Sequence, residues 1–287
     1  NGMTRVIYHT SPHSPKEAGI PGWTYGAGTH FSSNLSWWSF AKNLNEYCTH
    51  PVSMHRIRPN LPGSCCAETP AFFSASIAAA VDAGVACFGR IDTLLNNAGY
   101  GAYGPLEAFS TDRIRRQFDT NVIGLLEVTK AVLPHMRANK AGTIVNISSI
   151  GGQITFPLGT LYHGTKFAVE GLSEALHYEL EPLGIRVRIV QPGMIRTDFG
   201  GRSFDFAMDE DLSDYAPTAQ AMGRLFGKLA ANPSAPEIVA DVIWQAVNEP
   251  GDQMRFRAGN DAEALLDRRK QEEDASFGRS IKALMRE

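Results

Sequence analysis

Thr143-Ile-Val-Asn-Ile-Ser-Ser149, then Gly151-Gly152, then Tyr162-His-Gly-Thr-Lys166: the reading of this chain turns on these residues. The first seven form a short β-branched apolar run ending in hydroxyls. A glycine pair follows, so the stretch reads as a buried strand closed by a tight turn. Tyr162 opens a helical pattern carrying Phe167, Leu172, Ala175, Leu176 and Leu180. Residues four apart on a helix share one face, so Lys166 is expected beside the Tyr162 phenol. An adjacent ammonium favours the phenolate and lowers a pKa ordinarily near ~10, which makes a tyrosine usable as an acid/base. A bare Tyr-x-x-x-Lys pair occurs on many surface helices, and its surroundings give it meaning.

Two more apolar runs flank this stretch. Ile91-Asp-Thr-Leu-Leu-Asn-Asn-Ala-Gly99 reads as a buried strand ending in amides and small residues, and Ile185-Arg-Val-Arg-Ile-Val190 as a strand closed by Pro192-Gly193. Between the first and the opening stretch, 111–137 carries Ile114, Phe118, Val122, Leu125, Leu126, Val128 and Val132 at helical spacing. Strand and helix alternating in this way predict a parallel sheet with right-handed crossovers, an α/β fold. Ligands in such sheets sit beyond the carboxyl ends of the strands, where Ser149 and Gly99 fall.

In order and spacing, Asn96-Asn97-Ala98-Gly99, Asn121, Ser149, Tyr162-x-x-x-Lys166 and Pro192-Gly193-x-x-x-Thr197 resemble the short-chain dehydrogenase/reductase family. The resemblance runs from about residue 75 to the C-terminus. It implies one Rossmann-like, doubly wound parallel sheet over residues 1–287, with 1–75 as an atypical cofactor-binding half and 199–217 as a substrate lid. Tyr162 would be the general acid in carbonyl reduction and the base in reverse. Lys166 would tune it and bind the nicotinamide ribose, Ser149 would hold the substrate oxygen, and Asn121 would complete a proton relay. Asn97, Ala98 and Gly99 would line the adenosine side of the cofactor, and Pro192, Gly193 and Thr197 its nicotinamide end or phosphates. Each has a plainer alternative: a surface tyrosine, a solvated lysine, a turn cap at Ser149, a helix kink at Asn121, an N-cap at Thr197. The implied cofactor is NAD(P), with NADP(H) slightly favoured.

The first seventy-odd residues depart from that pattern. Arg5-Val-Ile-Tyr-His-Thr10 reads as a strand, but Ser11 to Ala18 has no glycine where a pyrophosphate would rest, and Pro12 and Pro15 remove N–H donors. Gly22, Gly26 and Gly28 have glycine-loop spacing, although Gly22 to Ala27 reads better as the second strand. Residues 1–75 hold no Asp, five of the eight His and three of the four Trp. A divergent first half, a replaced segment and a misread stretch all account for this. Apart from His50-x4-His55, the group Cys48, His50, His55, Cys65 and Cys66 lacks the usual metal-ligand spacing, so no metal is expected.

The chain has 287 residues, 43% hydrophobic and 20% charged, with net charge −3. That balance fits one α/β domain and gives no basic excess for nucleic acid. No apolar run reaches membrane-span length, the four cysteines show no framework, and Asn1-Gly2 before Met3 reads as a tag remnant. A cytoplasmic enzyme is expected, acting on an alcohol or ketone. Phe204, Phe206 and Met208 suggest a hydrophobic substrate, steroid- or retinoid-like. The helix beginning at Tyr162 carries Val169, Leu172, Leu176 and Leu180, more apolar side chains than one sheet contact needs, and a homodimer or homotetramer is expected through it. The rival reading is a non-enzymatic binding protein that kept the tetrad and lost a working phosphate loop.

Overall fold

The computed structural model describes residues 4–10, 24–30 and 70–286. Its main sheet has the strand order β2-β1-β3-β5-β6-β8. These strands are β1 (Thr4–Thr10), β2 (Thr24–His30), β3 (Thr93–Asn96), β5 (Gly142–Ile147), β6 (Ile185–Pro192) and β8 (Arg255–Ala258). β1, β3, β5, β6 and β8 pair in parallel. Side chains alternate across a strand, so each central strand feeds two cores. Leu94, Ile144 and Val187 point to one, together with Ile77, Val81, Val128 and Val132. Leu95, Val145 and Val190 point to the other, with Ile243, Ala246 and Phe256. A strand buried on both faces must read as a continuous apolar run, and β3, β5 and β6 do.

The two helical patterns read from periodicity, over 111–137 and 162–180, are both present, and other helices join them. α1 (Pro70–Phe88) precedes β3. The long pattern between β3 and β5 becomes α2 (Thr111–Phe118), a π-helical segment (Asp119–Ile123) and α3 (Gly124–Asn139). α4 (Thr160–Leu180) connects β5 to β6, and stops before Pro182, which lacks a donor. α5 (Ala216–Leu229) and α6 (Pro236–Asn248) lead to β8. The charged and apolar tail forms two helices, α7 (Asn260–Gln271) and α8 (Asp274–Arg286). They seat Ala262, Leu266, Phe277 and Ile281 against Ile150, Ile154, Phe156 and Leu225. The tail thus serves the chain's own core, beside the turn that carries Ser149.

Three expectations change. β2 runs antiparallel to β1, with Gly28 opposite Val6 and Gly26 opposite Tyr8. Gly26 and Gly28 are therefore ladder residues rather than a phosphate loop; Gly22, Ser11 to Ala18 and the cysteine–histidine group at 48–66 lie outside the described residues. Second, the apolar side chains of α4 are largely taken up internally: Val169 and Leu180 are buried, and Leu176 packs on the same core. Its exposed apolar groups are Phe167 and Tyr178. Third, of the three apolar lid residues only Phe204 turns inward. Phe206 and Met208 are about two-fifths exposed, at 41% and 40%.

The segment after β6 folds over the ends of the strands. Its β7 (Phe204–Phe206) pairs in parallel with β4 (Gly101–Tyr103), which follows β3. Arg113 on α2 grips Asp205 at 2.6 Å, and the Tyr103 and Phe204 rings stack at 5.2 Å. Both ion-pair partners are partly exposed, so the pair adds little by itself. The strand pairing and ring contact hold the segment.

Candidate active site

The site lies where β3, β5 and β6 end together. Asn97, Ala98 and Gly99 follow β3, Ser149 follows β5, and Pro192 and Gly193 close β6. α4 crosses this edge with Tyr162 and Lys166 buried on its inner face at 7% exposure each.

Ser149 is extended and caps the short 3-10 turn Ile150–Gly152 by accepting from the Gly151 N–H at 3.0 Å. Its hydroxyl acts on the Tyr162 phenol, lowering its pKa, and donates to the Pro192 carbonyl at 3.5 Å. The strand-end cap and the group that acts on Tyr162 are thus the same hydroxyl. Lys166 Nζ donates to the Ile147 carbonyl at 2.9 Å and lies 5.8 Å from the Tyr162 ring centroid.

Asn121 sits in the π-helical segment, where an extra residue per turn rotates side chains out of helical register. Its Nδ2 donates to the Tyr100 carbonyl at 2.9 Å and to Thr165 Oγ1 at 3.0 Å, and its Oδ1 accepts from the Tyr100 N–H at 3.1 Å. The amide ties the loop after β3 to α4. Asn121 Oδ1 and Lys166 Nζ both flank Gly99: a Cβ there would meet them at 3.3 and 3.7 Å. A side chain there would crowd Asn121 Oδ1, while its contact with Lys166 would be an ordinary one.

The other expected residues are less engaged. Asn97 is exposed, and Ala98 is half-buried. Gly193 is packed against Asp261, whose carboxylate accepts from the Met194 N–H at 2.6 Å. Thr197 is exposed, and its hydroxyl caps the 3-10 turn Asp198–Gly200, the plainer of its two readings.

Sequence reasoning missed several residues that support the site. Gln117, fully buried one turn before Asn121, donates to the Tyr100 carbonyl at 2.9 Å and accepts from the Ala102 N–H at 2.7 Å. The signal was present: Gln117 and Asn121 are an i, i+4 polar pair within an apolar helix face. Asn96 donates to Thr129 and Asn146, and Asn146 donates to Ser173, which joins α3, β3, β5 and α4 through buried polar groups.

Over Tyr162 stands an aromatic and apolar wall. Tyr103 lies 5.4 Å from it and Phe199 5.8 Å, with Met222, Leu158, Phe204 and Phe226 packed around. Phe199, Tyr103 and Met222 take the place that Phe206 and Met208 were expected to fill.

The electrostatics reverse one expectation. Burial pushes the Tyr162 phenol up to about 12, and the hydrogen bond with Ser149 only partly offsets this. Lys166 does not lower it, because the ammonium is aimed at Ile147 and desolvation dominates both groups. Tyr162 is accordingly a protonated donor at neutral pH. Burial pulls Lys166 down from 10.5 to about 8, against the pull of Glu170 one turn away. Between those two values the unfolded chain keeps a proton that the folded one has released, so this group makes stability rise with pH. Relative to Lys166→Met, the parent is expected to gain stability as pH rises from about 8 towards 10.5. Urea titrations of both proteins across that window check this; a flat or falling difference would contradict it.

The fold and site define a nicotinamide-type oxidoreductase scaffold, and comparison with known proteins agrees. The family model described as short chain dehydrogenase matches residues 73–207. An uncharacterized oxidoreductase of Schizosaccharomyces pombe is 40% identical over 202 residues, covering 70% of this chain and 84% of that protein. A 3-ketodihydrosphingosine reductase of Bacteroides thetaiotaomicron is 37% identical over 65% of this chain and 69% of that protein. Among solved structures, a short-chain dehydrogenase from Streptomyces avermitilis superposes with a TM-score of 0.61 at 33% identity, covering 73% of this chain and 75% of that one. ElxO with NADP bound gives a TM-score of 0.51 at 28% identity, over 64% and 73% of the two chains. The chain belongs to the short-chain dehydrogenase/reductase family and is an enzyme of that family. Among the described residues, no helix is long and apolar enough to cross a membrane.

Proposed function

We propose that this chain is an NAD(P)-dependent oxidoreductase of hydrophobic ketones and secondary alcohols, with Tyr162 as its proton donor. One observation carries the reading: a buried, protonated phenol, its pKa eased by Ser149, faces a wall of Tyr103, Phe199, Phe204, Met222 and Phe226 that holds no charged side chain. A carbonyl oxygen placed between Tyr162 and Ser149 would meet two hydroxyl donors. The rest of the substrate would lie on apolar surface, where a charged group would find no partner. The relative that reduces a 3-keto sphingoid base is in keeping with such a substrate.

The described residues fit the nicotinamide end of a cofactor. Lys166 offers a cationic donor, Gly99 leaves room for close backbone approach, and all lie beyond the carboxyl ends of the strands. Lys166 and Tyr162 would hold the ribose, and Asn97 to Gly99 the adenosine side. Pro192, Gly193 and Thr197 would border the nicotinamide, which when bound supplies the hydride. Tyr162 passes its phenolic proton to the carbonyl oxygen while Ser149 donates to the same atom. Lys166 would keep the ribose in register with Tyr162, and Asn121 holds the loop that sets Gly99 beside Lys166. In the oxidative direction Tyr162 takes the proton back.

Calorimetric titration with NADPH and with NADH, followed by reduction assays, tests this. A steroid ketone and a 3-keto sphingoid base are expected to exceed a short hydrophilic keto acid in kcat/KM by about tenfold or more, a difference of ~1.4 kcal/mol. Absence of binding by both nucleotides, or preference for the keto acid, would overturn the assignment.

The exposed Phe167, Ile123 and Phe118, at 44%, 46% and 37%, together with Tyr178 form the apolar face on which we propose a homodimer or homotetramer to assemble. Light scattering at micromolar concentration is expected to give at least twice the chain mass. A stable monomer would refute it.

A further inference from the structure

We propose that His163 is a positioning residue: it holds the turn that aims Ser149 at Tyr162. The inference builds on the assignment of Ser149 and Tyr162 to catalysis given above. His163 is 3% exposed, and both ring nitrogens are engaged. Nδ1 lies 2.9 Å from the Gly151 carbonyl, and Nε2 lies 2.9 Å from the Phe156 N–H. A backbone N–H can only donate, so Nε2 is bare and Nδ1 carries the proton. The geometry itself selects this tautomer. Gly151 in turn donates its N–H to Ser149 Oγ at 3.0 Å. Thus one imidazole on the first turn of α4 grips the residue that grips the Ser149 hydroxyl, and ties the same turn to Phe156.

The surroundings are shaped for this ring. A Cβ on Gly151 would stand 2.9 Å from Nδ1, and one on Gly159 would stand 2.5 Å from Cδ2. Tyr103, Phe156 and Tyr162 pack edge-on against it at 6.0, 5.8 and 5.6 Å. A buried histidine with satisfied bonds is often only a core residue. Here the first bond ends on Gly151, two residues from Ser149, so loosening it moves a catalytic hydroxyl. Burial also holds the ring below its ordinary pKa, in keeping with a neutral tether that takes no proton itself.

The two bonds can be separated with His163→Asn, His163→Gln and His163→Ala in the full chain. An asparagine amide occupies the Nδ1 position and can donate to Gly151. A glutamine reaches the Nε2 position and can serve only Phe156. Two readouts are taken: kcat and KM for the best ketone of the panel above, and amide hydrogen exchange at Gly151. His163→Ala and His163→Gln are expected to lose roughly a hundredfold in kcat, the scale of an ångström-sized misplacement, with KM and the NADPH dissociation constant within about twofold. Gly151 exchange should accelerate about tenfold in both. His163→Asn should restore kcat to within about fivefold and keep Gly151 protected. Equal behaviour of Asn and Gln, or unchanged Gly151 protection in His163→Ala, would overturn the proposal. If His163→Ala loses its cooperative melt, the Asn–Gln comparison decides. If the parent reduces no ketone in the panel, Gly151 exchange still decides the positioning role, and the failure belongs to the reaction assignment.

Discussion

Tyr162→Phe is expected to lower kcat by about 10²–10⁴-fold while leaving cofactor and ketone binding nearly intact, the scale of a lost general acid. The ring keeps its contacts with Tyr103 and Phe199, so the apolar wall survives. What goes is the hydroxyl shared with Ser149 and its transferable proton. The neighbouring ionisable groups are already engaged: His163 has both nitrogens bound, and Lys166 points at Ile147. Stopped-flow turnover with a separately measured NADPH dissociation constant checks this. A variant within a few fold of the parent would remove Tyr162 from the mechanism.

Lys166→Ala should damage binding and rate together. Hydrogen bonds to a charged group are each worth about 1.5–3 kcal/mol, and about 1.4 kcal/mol is tenfold. Loss of one such bond to the ribose weakens NAD(P)H binding by about 10- to 100-fold. Without that anchor the cofactor also shifts relative to Tyr162, which lowers kcat further. The substitution frees the Ile147 carbonyl and opens space beside Gly99 and Asn121, so the folded state must be checked by its melt. An unaltered dissociation constant with an unaltered kcat would refute both roles. Lys166→Arg separates charge from shape, since a planar guanidinium cannot retrace a buried ammonium.

Much of this molecule was legible in the chain because its signals are local. β3, β5 and β6 read as apolar runs since a strand buried on both faces leaves no polar alternation to confuse it. α4 was placed by its spacing, and Ser149, Tyr162 and Lys166 were visible as a strand end followed by an i, i+4 pair. Other features were not legible, for a common reason. The engaged partners of His163 and Gln117 are backbone groups, which look alike at every position in a sequence. The antiparallel direction of β2 depends on which edge it meets, and Gly26 and Gly28 looked alike as a loop or a ladder.

By itself, then, the sequence determined the alternation of strands and helices and the edge of the sheet where Ser149, Tyr162 and Lys166 gather. Those follow from periodicity and spacing along one chain, whereas the roles proposed for these residues come from the family resemblance. Only the tertiary structure decided the protonation balance at Tyr162, because desolvation depends on everything packed around the phenol, whereas proximity of a lysine in sequence says nothing about where its ammonium points. It also decided which aromatics form the wall. Phe199 and Phe204 turn towards Tyr162 and Tyr103 while Phe206 and Met208 face outward, because the pairing of β7 with β4 sets the register of that strand, and that pairing joins residues about a hundred positions apart.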